Sequence, residues 1–146
     1  MEEIVQSIKT NRSEYNLTIP EPMSADEVNL FMTKLNKFFG EDPDSTFVTF
    51  LKLCNGLQEN GNMIYAGEDY EIDGIEYGIF QNNQAWYDIE DFRDYIFYGD
   101  SEIGLFCYDK ENQEYLMLAR DGDGIDETFA SCEKMLLFIL KQMVGE

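Results

Sequence analysis

No histidine occurs anywhere in the 146 residues. That absence removes Ser/His and Cys/His nucleophile pairs, imidazole metal ligands and the commonest general base. Basic residues are scarce too: ten Lys+Arg face thirty Asp+Glu, a formal charge of −20. Without a Lys/Arg stripe the chain cannot neutralise phosphates, so the expectation is no nucleic-acid partner, and no membrane partner because anionic lipid is disfavoured on the same ground. The three cysteines, Cys54, Cys107 and Cys132, are odd in number and far apart, fitting neither a disulfide framework nor paired zinc ligands. All three prolines precede Asp44, and no repeat, low-complexity tract or Pro/Ser-rich linker divides the chain. Met1-Glu2-Glu3-Ile4-Val5 has acids where a secretory signal carries basic residues, and no apolar run approaches the length of a membrane span. These absences predict a reduced, cytoplasmic protein, one domain over residues 1–146, with no cofactor and no resident metal.

What is present is apolar. Hydrophobic residues make up 44% of the chain and aromatic residues 14%, enough to oppose chain entropy while the charge stays outside. Surface scaling for this mass gives roughly 7,700 Å² folded against about 25,000 Å² unfolded, a single core.

Ile4, Val5 and Ile8 share one face of a first helix of two or three turns, which ends before the extended Asn16–Pro22 stretch. Ser24 and Glu27 form an S-x-x-E capping box, and Val28, Phe31, Leu35 and Phe38 continue an apolar stripe to Gly40. Asp42 as N-cap with Pro43 in the first helical position opens a third helix that buries Phe47, Phe50, Leu51 and Cys54 and stops at Asn55-Gly56. Short apolar runs follow and read as strands: Asn62–Tyr65, Ile79-Phe80 and Tyr95–Tyr98. A hairpin pairs Ile103–Tyr108 with Glu114–Ala119 across Asp109–Gln113, and because both runs are apolar on both faces they read as central strands. Gly122 and Gly124 permit a tight acidic turn before Ser131. Cys132, Met135, Leu136, Ile139, Leu140 and Met143 then mark a closing helix. The order predicts an α+β fold, with N-terminal helices and a C-terminal helix packed on a central, mostly antiparallel sheet.

Acids crowd the interval from Lys52 to Lys110, where Arg93 is the only internal base. Glu68, Asp69, Glu71, Asp73, Glu76, Asp88, Glu90, Asp91, Asp94, Asp100 and Glu102 are the candidate carboxylates for steering a basic partner. Tyr70, Tyr77 and Tyr87 among them are residue types favoured as interface anchors, as are Tyr65 and Trp86. The competing reading of the same run is a solvated face that keeps the protein soluble. Asp121–Glu127 resembles a calcium loop only at first sight: Ile125, Asp126 and Cys132 occupy positions five, six and twelve, so a hairpin turn accounts for it better. Paired carboxylates, as in glycoside hydrolysis, are the only catalytic apparatus open to the chain, and no spacing singles out two of them. The cysteines lack basic neighbours, which predicts inert packing rather than a nucleophile.

Several segments together resemble the SUKH superfamily, which includes the fungal Smi/Knr cell-wall-assembly regulators and bacterial immunity proteins, and especially its YrhA-like branch. Phe47–Leu57, with its Phe50-Leu51 pair and closing Asn55-Gly56, is similar to the family's helix, and Asn60–Tyr65 to the strand after it. Asn83-Gln84-Ala85-Trp86 matches the branch's N-x-x-W, Tyr95–Asp100 its strand entering a Gly-acid turn, and Ser131–Leu136 its S-F-x-x-L-L helix with Cys132 replacing the aromatic. Asp42-Pro43-Asp44 stands where the family often has Leu-Pro-x-x-Y. The resemblance implies the same α+β fold, no enzymatic activity and immunity against a protein toxin of intercellular competition, many such toxins being nucleases. A regulatory interaction module like the fungal members is the first alternative, and a small carboxylate hydrolase the second. On the residues themselves, Asn55-Gly56 and Trp86 read as parts of the fold rather than of a site.

Overall fold

The N-terminal half forms helices because its apolar residues recur at three and four. In the computed structural model, which describes all residues Met1–Glu146, α1 spans Glu2–Glu14, a turn longer than its apolar face, and buries Val5 and Ile8. Helix α2, Ala25–Phe39, starts at the expected capping box: Ser24 Oγ accepts from the Glu27 N–H and Glu27 Oε1 accepts from the Ser24 N–H. Gly40 ends it at φ 75°, a left-handed conformation that glycine adopts without penalty. Phe39 rather than Phe38 completes the buried stripe of α2, and Phe38 is left partly exposed against Phe39 and Phe80.

The entrance to α3, Ser45–Leu53, also departs from expectation. Asp42 accepts from Asn36 Nδ2 at 2.9 Å, tying back to the end of α2, so capping passes to Asp44, whose Oδ1 accepts from the Thr46 N–H at 2.8 Å. Pro43 is buried outside the helix. Phe47, Phe50, Leu51 and Cys54 are all fully buried, as their spacing predicts.

Strands β1 (Leu57–Glu59) and β2 (Asn62–Ile64) open a six-stranded antiparallel sheet that continues through β5 (Tyr95–Ser101), β6 (Gly104–Asp109), β7 (Glu114–Ala119) and β8 (Ile125–Phe129), in the order β1-β2-β5-β6-β7-β8. A separate hairpin, β3 (Glu71–Ile72) with β4 (Ile75–Glu76), turns through Asp73 and Gly74, both at positive φ. Helix α4, Ile79–Trp86, follows it. Ile79-Phe80, expected as a strand, is instead the first turn of α4. An isolated apolar pair carries no period, and Ile79 with Asn83 forms a buried i,i+4 face. A single 3₁₀ turn, Glu90–Phe92, leads into β5, and α5, Cys132–Met143, closes the chain with all six expected residues buried. Strand β8 has no counterpart in the sequence reading because its residues are mostly exposed, two of the five are acids, and they carry no apolar run.

The fold is therefore the expected α+β architecture. Helices α1, α3 and α5 cover one face of the sheet, where Phe106 and Phe129 pack on Phe138 and Phe47 meets Tyr98 edge-on at 4.8 Å. Helix α4 and the 3₁₀ turn cover the other face around Phe97, which touches Trp86, Tyr87 and Phe92. Helix α2 leans on α3 through Phe31–Phe47 and reaches α4 at Phe80. Both faces being covered explains why β5 and β6 are apolar on each side. One core cluster of 35 buried residues results, and the exposed area of 7871 Å² agrees with the roughly 7,700 Å² expected of a monomer this size. No helix is long and apolar enough to cross a membrane.

Truncating Phe47, a fully buried ring between Phe31, Phe50 and Tyr98, should cost about 3–5 kcal/mol in urea unfolding. Ser24→Ala should cost only about 1 kcal/mol by loss of the cap. Equal effects of the two substitutions would contradict this picture of the core.

Candidate partner-binding surface

The motif residues act as pins. Asn83 is completely buried, its Nδ2 donates to the Ile79 and Phe97 carbonyls at 2.7 and 2.8 Å, and its Oδ1 accepts from the Phe97 N–H at 2.8 Å. Asn55 Oδ1 accepts from the Gly67 N–H at 2.8 Å, and Gly56 takes φ 88° with Ala66 so close that a Cβ would sit 2.9 Å from the alanine's own. Trp86 donates its indole N–H to the Tyr65 hydroxyl at 2.9 Å. These residues serve the fold, as their sequence context suggests.

Clamped at Phe97, β5 bulges. Phe97 pairs with Cys107 and Gly99 with Phe106, so Tyr98 is the extra residue and the facing of the strand reverses beyond it. Tyr98 consequently points to the α3 side, while Asp100 joins Phe97 on the α4 side. There Asp100 accepts from the buried Tyr65 hydroxyl at 2.6 Å and faces Arg120 at 3.7 Å, and Arg120 lies 5.4 Å over the Trp86 ring. Burial raises the Asp100 carboxyl above its ordinary value, against the lowering effects of Tyr65 and Arg120.

Of the acids expected to face a partner, Asp100 is thus engaged inward. Glu68 accepts from Asn55 Nδ2 at 2.8 Å, and its carboxyl is raised by partial burial and by the neighbouring Glu27. Asp69 Oδ1 accepts from the Gln81 N–H at 3.2 Å, and both Glu68 and Asp69 remain exposed beside the β3–β4 hairpin. Glu76 is half-buried and raised by burial and by Asp69 and Glu71. Glu71, Asp73, Asp88, Glu90, Asp91, Asp94 and Glu102 are exposed. They form separate groups: Glu71 and Asp73 on the β3–β4 hairpin, Asp88–Asp94 around the 3₁₀ turn, and Glu102 at the β5–β6 turn.

The tyrosines expected as anchors are packed instead. Tyr77 is buried and stacks on Tyr70 at 5.1 Å, and the Tyr70 hydroxyl donates to the Asn55 carbonyl. Tyr87 is half-buried and donates to the Tyr95 carbonyl. The Tyr70 and Tyr87 phenols satisfy backbone groups between elements and Tyr77 is held by packing, so Tyr77 presents no face to a partner and Tyr70 and Tyr87 only part of one.

Across the whole chain the negative charge is segregated by element. Helices α1, α2, α3 and α5 hold seven of the ten bases (Lys9, Arg12, Lys34, Lys37, Lys52, Lys134 and Lys141) but only six of the thirty acids (Glu2, Glu3, Glu14, Asp26, Glu27 and Glu133), a formal +1. The other 24 acids, with Arg93, Lys110 and Arg120 as their only bases, lie in strands, turns, loops and the 3₁₀ turn, a formal −21. Only two ion pairs form, Arg12–Glu59 and Arg120–Asp100. The remaining 28 of the 30 carboxylates have no basic partner within the chain.

The strand ends also build a groove that the sequence reading missed. Asn36 of α2 and Gly40, Glu41, Asp42 and Asp44 from the α2–α3 connection face Tyr98, Tyr108 and Tyr115 from β5, β6 and β7 across a cavity of about 450 Å³. Tyr115 donates to Asp44 Oδ2 at 3.3 Å, and the Tyr108 and Tyr115 rings, opposite one another in the β6–β7 register, lie 4.9 Å apart. The sequence carried two signals, the run Glu41-Asp42-Pro43-Asp44 and the cross-strand tyrosine pair, but they are more than sixty residues apart and only the sheet topology joins them.

All three cysteines are buried, with the Cys54 thiol pushed up to about 11 by burial and those of Cys107 and Cys132 higher still, so each stays protonated at neutral pH. The Asp121–Glu127 segment is the β7–β8 turn running into β8, with Asp121 Oδ1 accepting from the Asp123 N–H at 2.9 Å. No family model, no curated protein and no solved structure matches the chain.

The raised carboxyls set a pH dependence. Asp100, Glu68 and Glu76 titrate higher folded than unfolded. Their contribution is full below the ordinary carboxylate pKa of about 4 and is lost as pH rises through their elevated values, each unit being worth about 1.4 kcal/mol at the largely buried Asp100 and less at Glu68 and Glu76, where solvent screens the charge. Glu27, lowered by its capping bonds to Ser24, acts in the opposite sense. The expected result is greater stability at pH 5 than at pH 7 in urea unfolding, with a shallower fall in Asp100→Asn. A rise between those pH values, unchanged in the variant, would contradict the assignment.

Proposed function

We propose that this chain is an immunity protein of the SUKH type that binds and neutralises a basic protein toxin, a nuclease being the toxin class whose chemistry fits best. The single observation that carries this reading is the segregation of charge: −21 on strands, turns and loops beside helices that are nearly neutral. A solubility device would serve as well spread over helices, whose exposed faces accept Lys and Glu alike. Concentrated at strand ends and loops, the same charge creates a field that attracts a cationic surface and orients it before contact.

A nuclease must present Lys and Arg to phosphate, so a protein crowded with unpaired carboxylates can occupy that surface by reproducing the polyanion's charge. No reacting group is needed, which accords with thiols held protonated and with the SUKH-like motif residue Asn83 spent on backbone hydrogen bonds. The SUKH-like motifs support the same reading from the sequence side. In the cytoplasm of the producing cell the protein would meet its toxin before the toxin meets nucleic acid.

Expression of a toxin domain encoded beside this gene should kill cells that lack the protein and spare cells that contain it; equal killing in both would refute the proposal. In binding kinetics, association should slow steeply as salt rises through 0.1 M, where screening acts beyond about 10 Å. Reversing Asp88, Glu90, Asp91 and Asp94 together should slow association about tenfold or more with little loss of folding stability. Full protection by that variant would show the cluster to be no part of the binding surface.

A further inference from the structure

We infer that the groove at the ends of β5–β7 seats the guanidinium of an arginine from the basic partner. This deepens the toxin-binding reading and rests on it. Tyr98 carries the inference together with the carboxylates. Its side chain is only 2% exposed, and its hydroxyl makes no hydrogen bond within the protein. Yet no sealed side-chain polar atom in the molecule lacks a partner, so this hydroxyl is open, and Tyr98 lines the groove. Phenylalanine would pack against Phe47 and Tyr115 equally well. A nearly buried hydroxyl left without a partner is costly unless something outside the chain bonds to it.

The walls define what that something is. Glu41, half-buried, makes no hydrogen bond or ion pair, Asp42 has one oxygen taken by Asn36, and Asp44 is held by the Thr46 N–H and the Tyr115 hydroxyl. No base lines the cavity, so its occupant is a cation. No three acidic or thiol groups converge on one point as a metal ion requires. Acceptors spread along a groove suit the five donors of a planar guanidinium better than the compact ammonium of lysine, and the Tyr108 and Tyr115 rings give its plane a surface to lie against. At about 450 Å³ the groove has room for the side chain that brings it.

The test titrates the full chain with N-acetyl-arginine amide, N-acetyl-lysine amide and the uncharged isostere N-acetyl-citrulline amide, followed by two-dimensional NMR. Arginine should shift resonances of Glu41, Asp44, Tyr98, Tyr108 and Tyr115, lysine should do so more weakly, and citrulline not at all. Tyr98→Phe, which removes only an unbonded hydroxyl, should keep the melting temperature while weakening the arginine effect about tenfold, and Glu41→Gln should weaken it comparably. Shifts spread evenly over the acidic surface, or an arginine effect unchanged in both variants, would overturn the assignment. Binding of a basic toxin domain is measured separately on the same variants. Undiminished toxin binding with both substitutions present removes the groove but leaves the immunity reading, whereas arginine seated in the groove of a chain that binds no toxin does the reverse.

Discussion

The bulge in β5 is the constraint on which the rest of the molecule depends. Asn83 from α4 grips both the N–H and the carbonyl of Phe97, and the strand then carries one residue more than its partner β6 before pairing resumes at Gly99. Gly99 is needed there because a Cβ would collide with the Met63 carbonyl of β2. A regular strand would put Asp100 on the same side as Tyr98. The bulge separates them, sending Tyr98 toward α3 and the strand-end groove and Asp100 toward Tyr65, Trp86 and Arg120. One extra residue, held by one buried amide, therefore places both polar features of the sheet.

Around that frame the electrostatics divide the labour. Thirty carboxylates in a small domain repel one another, and the core must form despite them. The long helices avoid the conflict by holding most of the bases, so the layer that packs on the sheet assembles at nearly zero net charge. The strands, turns and loops keep the surplus, with two ion pairs to relieve it. Unrelieved charge is unfavourable for the isolated protein and favourable once a cationic surface covers it, which is the balance a charge-mimicking binder requires.

Much of this was legible in the sequence. The α2 capping box, the buried faces of α3 and α5, and the β6–β7 hairpin each carry a period or a cap that acts locally, and each forms where expected. Errors fell where local signals were equal or absent. Asp42 and Asp44 are equivalent caps until Asn36 claims the first; Ile79-Phe80 is too short to show a period; β8 is an exposed edge strand that packs inward through Phe129 and has no apolar run. The site was harder to read than the fold. Proximity in sequence grouped Glu68–Glu102 with Tyr70, Tyr77 and Tyr87, but Tyr70 and Tyr87 bond backbone carbonyls, Tyr77 is buried against Tyr70, and the exposed acids lie apart on separate loops and turns. The groove joins residues from the α2–α3 connection to three strands, a juxtaposition set by topology alone.

Hydrogen–deuterium exchange of the chain, free and bound to a basic toxin domain, tests the central claim most directly. Recognition by the non-helical surface predicts new protection at the α2–α3 connection, around the 3₁₀ turn at Glu90–Phe92 and at the β6–β7 turn, with α1 and α5 unchanged. Protection confined to the outward faces of α1 and α5, with those turns exchanging as before, would contradict it.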